Sequence, residues 1–187
     1  LQLVFWSLAY LAIVVYSIKY RSEKQIFMPF IPGMLNFTWE LNAFIRSHGF
    51  LGHTVRPVLD CLIIGYNFWV LTEKKKRLLY GAATVFCIVL FRFLFQWPAV
   101  NGMLLSSYAI DLIMAVVYVW NAKKVSRRGM LLIGIFKFLG DLFAWLHYKD
   151  FAVFVMVAGI LVQLFNSIYL LLCIVRLKNP AAAGEQK

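Results

Sequence analysis

The sequence predicts an all-α, polytopic membrane bundle. Of its 187 residues, 63% are hydrophobic and 14% are charged, with a mean hydropathy of +0.78. Soluble domains are closer to half apolar and a quarter charged. The apolar residues form long runs separated by short polar breaks, and runs of roughly 20 residues are needed to cross a bilayer. These observations predict a multi-pass integral membrane protein with about seven transmembrane helices, in contact with the lipid bilayer along most of its length.

The apolar runs give the approximate bounds of the predicted helices. They cover residues 2–18, 25–46, 56–72, 78–96, 103–121, 129–147 and 151–175. Because the breaks are short, we expect a single seven-helix transmembrane domain over residues 1–178. The small and polar tail at residues 179–187 is expected to be disordered. The first run is long and closely followed by others, so we interpret it as a span and not as a cleaved signal peptide.

The basic residues predict a topology and argue against a nucleic-acid partner. The net charge is +11, and most of the 19 lysines and arginines follow the first, third, fifth and seventh helices. They are Lys19, Arg21, Lys24, Lys74, Lys75, Lys76, Arg77, Lys123, Lys124, Arg127, Arg128, Arg176, Lys178 and Lys187. The opposite side carries only Arg46, Arg56 and Lys149. By the positive-inside rule, the N-terminus is outside and the C-terminus is cytoplasmic.

Ionisable residues inside the predicted spans mark the candidate functional site. Such residues cost at least ~2.5–3.5 kcal/mol each to insert into lipid, so they are rare and usually functional. Lipid cannot solvate them, and we expect them to face inward and to converge in the outer half of the bundle. They are Glu40, Asp60, Arg92, Asp111, Lys137 and Asp141.

Helical spacing suggests partners for some of these groups and leaves others open. Lys137 and Asp141 are four residues apart on one helix, which fits either a structural ion pair or a functional pair. Arg92 is expected to be the buried counter-ion of one acid. Asp60, near the start of its helix, either reaches water at the membrane boundary or takes part in the site. Glu40 has no basic residue within a turn on its own helix, so burial is expected to keep it neutral, as a general acid requires.

The cysteines do not indicate a metal or redox site. Cys61, Cys87 and Cys173 all lie in predicted spans and follow no ligand or redox spacing. We interpret them as packing residues, and we predict no metal and no cofactor.

Three segments resemble a known family. The residues from Met28 to Glu40 read Met-Pro-Phe-Ile-Pro-Gly-Met-Leu-Asn-Phe-Thr-Trp-Glu. This resembles the Met-Pro…Asn-x-[Ser/Thr]-Trp-Glu signature of the small integral-membrane terpene cyclases of fungal meroterpenoid and indole-diterpene pathways and their bacterial relatives. The run from Leu59 to Ile64 is similar to that family's Leu-Asp-hydrophobic segment. Phe138 to Asp141 is loosely similar to its late Arg-x-x-Gly segment, with Lys137 where that family has arginine.

The resemblance implies an acid-triggered cyclisation of a hydrophobic isoprenoid, without a metal. A carboxylic acid protonates a prenyl chain or prenyl epoxide, the carbocation closes rings, and a base removes a final proton. Glu40 would be the proton donor, assisted by Asp60 or Asp141. Asn36 would orient Glu40, and Gly33 would leave room for the substrate. The remaining expected substrate-binding residues are Trp39, Arg92, Asp111 and Trp145, whose aromatic members would stabilise a cation.

Two other classes of function fit the same residues. A small seven-helix carrier or receptor would use the intramembrane acids and bases as a proton or substrate relay. A non-catalytic membrane subunit is the third alternative. An apolar, aromatic-lined pocket closed to the cytoplasm would favour the cyclase, and a polar path through both halves would favour the carrier. The sequence leaves the oligomeric state open.

Overall fold

The computed structural model describes residues 1–21, 27–46, 54–71, 73–97, 101–122 and 128–178. These residues contain seven α-helices and no strand, which confirms the all-α prediction. A π-helical segment, Asn67–Leu71, continues the third helix. The helices are α1 Gln2–Lys19, α2 Phe30–Arg46, α3 Val55–Tyr66, α4 Lys74–Leu94, α5 Gly102–Ala122, α6 Arg128–Tyr148 and α7 Val153–Lys178.

Two helix starts differ from those that hydropathy predicts. Helix α2 begins at Phe30 and not near residue 25, directly after Pro29. Pro32 then lies in the first turn, where a missing backbone N–H costs no helical hydrogen bond. Helix α4 begins at Lys74, earlier than the predicted residue 78. Lysine is a good helix former, so the helix extends into the basic run that hydropathy excludes.

Five of the described helices are long and apolar enough to cross a membrane. The qualifying segments are Gln2–Lys19, Lys76–Leu94, Gly102–Ala122, Gly129–Tyr148 and Val153–Lys178. Helices α2 and α3 are shorter, with 17 and 12 residues, and carry several charged and polar side chains. The helices that hold the first two family-like segments therefore lack the usual properties of a span, whereas α6, which holds the third, has them.

Polar side chains are buried while many large apolar side chains are exposed. On α4, for example, Leu78, Phe86 and Phe93 are exposed. The buried polar residues are Ser17, Asn36, Thr38, Glu40, Asn42, Arg56, Asp60, Asn67, Ser106, Lys137, Asp141 and Asn166. This distribution suits a bundle that turns its apolar surface towards lipid and its polar groups towards one another.

The chain forms two compact units. The terminal unit comprises Leu1–Ala12 and Asp111–Lys187, and the central unit comprises Ile13–Ile110. In the terminal unit α6 packs along α7, where a Cβ atom added to Gly159 would lie 1.9 Å from Cδ1 of Trp145. Glycine at this position lets the two helices approach closely. The single-domain organisation of residues 1–178 stays a prediction, and the tail at 179–187 lies outside the described residues.

In the central unit α2 packs against both α3 and α4. Asn42 on α2 donates a hydrogen bond to the carbonyl oxygen of Ile88 on α4, at 3.1 Å. Asn67, at the start of the π-helical segment, donates to the carbonyl oxygen of Met28 at 2.8 Å. These bonds fix α2 between its two neighbours and thereby set the position of its polar face.

Candidate functional site

Two acids, one base and an amide meet between α2 and α3. Nη1 of Arg56 lies 2.8 Å from Oε1 of Glu40 in a buried ion pair. Nδ2 of Asn36 donates a hydrogen bond to Oδ2 of Asp60 at 2.6 Å. We call Asn36, Glu40, Arg56 and Asp60 the α2–α3 cluster.

Helical geometry explains why these four side chains meet. Asn36 and Glu40 are four residues apart and therefore share one face of α2. Arg56 and Asp60 have the same spacing and share one face of α3. Because α2 packs against α3, the two polar faces meet and each group finds a partner on the other helix.

The α2–α3 cluster is almost completely removed from solvent. The exposed fraction is 2% for Glu40, 2% for Arg56 and 0% for Asp60. Charged groups in such a position are costly unless they are paired and hydrogen-bonded. The chemistry of the cluster therefore depends on how its charges balance.

One guanidinium cannot neutralise two carboxylates. Glu40 is the acid that forms the ion pair, and Asp60 interacts electrostatically with both Glu40 and Arg56. Asp60 accepts a hydrogen bond from a neutral amide, and its Oδ1 atom has no hydrogen-bond partner in the part of the chain that the structure describes. A proton on Asp60 would make the cluster neutral, so charge balance favours a neutral Asp60 beside the Glu40–Arg56 ion pair.

This geometry corrects two expectations about Glu40. Glu40 does have a cation, Arg56, but it lies on the neighbouring helix and not on α2. Asn36 orients Asp60 and not Glu40, because its amide reaches across to α3. Sequence reasoning counted Arg56 among the charges of the outer side, although its spacing of four residues from Asp60 already placed it on the same face. Of the two alternatives for Asp60, its complete burial excludes contact with water at the membrane boundary.

Arg92 is not a buried counter-ion. It is exposed on α4, in the last turn of that helix, and borders a pocket together with Arg46 and Trp97. Hydropathy gives the depth of a residue along a span but not the direction in which its side chain points. The cation that balances a buried acid in the central unit is Arg56.

Trp39 and Gly33 have structural contacts of their own. Nε1 of Trp39 donates to Oγ of Ser106 at 3.1 Å and to the carbonyl oxygen of Met103 at 3.2 Å. Gly33 faces Met28, and a Cβ atom there would lie 3.5 Å from the Met28 sulfur. Gly33 therefore borders a methionine side chain, and contact of either residue with a substrate stays a prediction.

A second polar cluster lies in the terminal unit around Asp141 on α6. Its Oδ1 accepts a hydrogen bond from Nε1 of Trp6 at 2.7 Å, and its Oδ2 accepts one from Nδ2 of Asn166 at 2.8 Å. Lys137, one turn earlier, forms an ion pair with the same carboxylate. Of the two alternatives for Lys137 and Asp141, this complete set of partners favours the structural one. Trp6 was not among the predicted site residues, because no pattern in the sequence links the first helix to the sixth.

Replacing Asp141 with asparagine is expected to lower the free energy of unfolding by about 1–3 kcal/mol. Asparagine can still accept one of the three bonds, but its NH₂ group cannot accept from Lys137 or Asn166. Thermal unfolding in detergent micelles measures this loss. Replacing the exposed Asp150, in the turn after α6, with asparagine is the matched control and should leave the unfolding temperature unchanged. Equal stability of both variants would contradict a structural role for Asp141.

The other predicted site residues also belong to the terminal unit. Asp111 is half-buried on α5. Trp145 packs against Gly159, and its Nε1 donates to the carbonyl oxygen of Met156 at 3.2 Å. The predicted acids are thus divided between the units, with Glu40 and Asp60 in the central one. Their convergence into one site stays a prediction. Within the described ranges, no group of three or more His, Cys, Asp or Glu side chains is placed to hold a metal ion.

Comparisons of this chain with known protein families, curated proteins and solved structures found no match. The resemblance to the membrane terpene cyclases therefore depends on the segments around Glu40, Asp60 and Asp141 alone.

Proposed function

We propose that the chain is an integral-membrane terpene cyclase. It would protonate a prenyl chain or prenyl epoxide with a carboxylic acid of the α2–α3 cluster and so start a carbocation cyclisation. The observation that carries this proposal is the buried cluster of two acids, one base and one amide. It occurs in the same two helices whose segments resemble the cyclase signature.

In this proposal Asp60 is the proton donor. Its neutral carboxyl group transfers a proton to the epoxide oxygen or to an alkene carbon, as a general acid does. The cluster then holds two carboxylates and one guanidinium, and this net negative charge stabilises the positive charge that forms on the substrate. The Asp60 carboxylate finally accepts the proton that the cyclised cation loses, which restores the starting state. Glu40 and Arg56 act as a fixed ion pair, and Asn36 holds the Asp60 carboxyl group in place.

A seven-span arrangement with the N-terminus outside and the C-terminus cytoplasmic belongs to the same proposal. Helices α2 and α3 would then lie within the membrane beside the five apolar helices. A fluorescent protein that matures only in the cytoplasm, fused to the C-terminus, is expected to be bright. A periplasmic or lumenal reporter at the same terminus should be silent, and the opposite pair of results would reverse the topology.

Product analysis tests the proposed activity directly. Membranes with and without the protein are incubated with a panel of prenyl alkenes and terminal prenyl epoxides, extracted, and analysed by mass spectrometry and chromatography. The expected result is a product with the mass of its substrate but a different retention time, formed only when the protein is present. Transport of the substrate across the membrane of vesicles that contain the protein, without isomerisation, would favour the carrier instead.

A further inference from the structure

The central unit contains an open pocket whose lining shares no residue with the α2–α3 cluster. It lies where α2 and α4 end and α5 begins, and its volume is about 570 Å³. Its polar lining comes from Arg46, Arg92, Gln96 and Asn101, and its apolar lining includes Trp97 and Met103. A volume of this size is typical of pockets that hold small organic ligands.

The pocket is strongly basic. Arg46 lies in the last turn of α2, and Arg92 lies in the last turn of α4. None of the described residues that line the pocket is acidic. Arg46 donates one hydrogen bond from Nη1 to the carbonyl oxygen of Phe95, which anchors its side chain at the pocket. A guanidinium has five N–H donors, so this single bond leaves donors for an anion.

The start of α5 adds to the same preference for an anion. The pocket lining includes Gly102, the first residue of this 21-residue helix, where the helix dipole is positive. A Cβ atom on Gly102 would lie 2.0 Å from the carbonyl oxygen of Leu94, so α5 begins in close contact with the end of α4. Asn101, just before it, has a φ of 44°, a left-handed conformation that asparagine tolerates better than most residues.

The apolar lining indicates that the anion belongs to an amphiphile. The apolar segment of α4 ends at Leu94, so the pocket lies at one end of a candidate span, where a headgroup meets the acyl region. Trp97 is exposed at this level, as tryptophans at membrane interfaces commonly are. Arginine binds phosphate through paired N–H donors. We propose that this pocket binds the phosphate group of an anionic amphiphile, through Arg46 and Arg92.

A purely structural role of the two arginines at their helix ends accounts for only part of these observations. Arginines near helix C-termini are favourable because they interact with the helix dipole, and Arg46 does bond a carbonyl oxygen at the end of α4. The same explanation covers Arg92 in the last turn of α4, but it does not require that both arginines border one cavity or that two neutral amide side chains lie beside them. The phosphate can come from a phospholipid headgroup or from the phosphate ester of an isoprenoid. The proposal does not depend on the cyclase activity.

Binding to the full chain in an uncharged detergent tests the proposal. The probes are farnesyl phosphate, dioleoyl phosphatidylglycerol and, as a neutral control, farnesol, and dissociation constants are measured by native mass spectrometry. Arg92→Gln is the main variant, because Arg92 is exposed and its loss should leave the fold intact. Arg176→Gln on α7 removes the same charge outside the pocket. We expect Arg92→Gln to weaken binding of the phosphate probe by roughly tenfold or more, and Arg176→Gln to leave it unchanged.

The probes identify the source of the phosphate. Preference for farnesyl phosphate supports a prenyl ester, and preference for phosphatidylglycerol supports a lipid headgroup. The Asp60→Asn variant should bind either probe as the wild type does, which separates this pocket from the proposed catalytic cluster. The proposal is overturned if Arg92→Gln binds like the wild type, if Arg176→Gln causes the same loss, or if farnesol binds as tightly as farnesyl phosphate.

Discussion

Replacing Arg56 with alanine is expected to destabilise the folded protein by about 3–5 kcal/mol, the usual cost of removing one partner of a buried ion pair. Arg56 is among the largest fully buried side chains of the described residues, so alanine also leaves a cavity. Glu40 and Asp60 would then lose the guanidinium that offsets their mutual repulsion. Unfolding in mixed micelles, followed by circular dichroism, measures the loss.

Arg92→Ala is the matched control for this variant. It removes the same side chain from an exposed position on α4, and it should leave stability unchanged. The double variant Glu40→Gln/Arg56→Gln should recover part of the loss, because it replaces an ion pair with two neutral amides. If Arg56→Ala and Arg92→Ala unfold alike, the buried ion pair does not contribute to stability as the structure implies.

The all-α class could be predicted from the long apolar runs of the sequence. Apolar runs of span length leave few alternatives to helices when backbone groups cannot bond to water. Spacing also placed Asn36 and Glu40 on one face of α2, and Arg56 and Asp60 on one face of α3. The sequence therefore predicted Asn36, Glu40 and Asp60 of the α2–α3 cluster as site residues, but not Arg56.

The pairing across helices could not be predicted in this way. Periodicity shows which residues share a face of one helix, but it contains no information on the rotation and height of a neighbouring helix. The ion pair between Arg56 and Glu40 joins two different helices, so the period of either helix does not predict it. Arg92 shows the same limit, since its depth along α4 predicts burial while its side chain is exposed and borders a pocket.

The sequence pattern predicted neither the start of α2 nor the contact between Trp6 and Asp141. Pro29 and Pro32 delay the start of α2, which hydropathy cannot detect because the preceding residues are also partly apolar. The bond between Trp6 and Asp141 joins residues far apart in the chain, and a tryptophan in the first span has no local feature that indicates a polar partner. Such contacts follow from packing and not from sequence pattern.

Replacing Asp60 with asparagine is expected to reduce turnover of the proposed cyclisation by at least ~10²-fold, the usual contribution of a general acid. Asparagine has nearly the same shape and can still accept the hydrogen bond of Asn36, so the fold should be retained, which thermal unfolding checks. The rate of product formation under saturating substrate measures the effect. An Asp60→Asn protein that cyclises substrate at the wild-type rate would exclude Asp60 as the donor.

Variants that change the charge of the α2–α3 cluster distinguish Asp60 from Glu40 as the proton donor. Glu40→Gln alone leaves Arg56 without its carboxylate, and Asp60 is then expected to lose its proton to balance the guanidinium. Activity should fall for that reason even though Glu40 donates no proton. The double variant Glu40→Gln/Arg56→Gln removes both charges and lets Asp60 keep its proton. It should therefore be more active than Glu40→Gln, whereas a double variant as inactive as the single one would return the role of donor to Glu40.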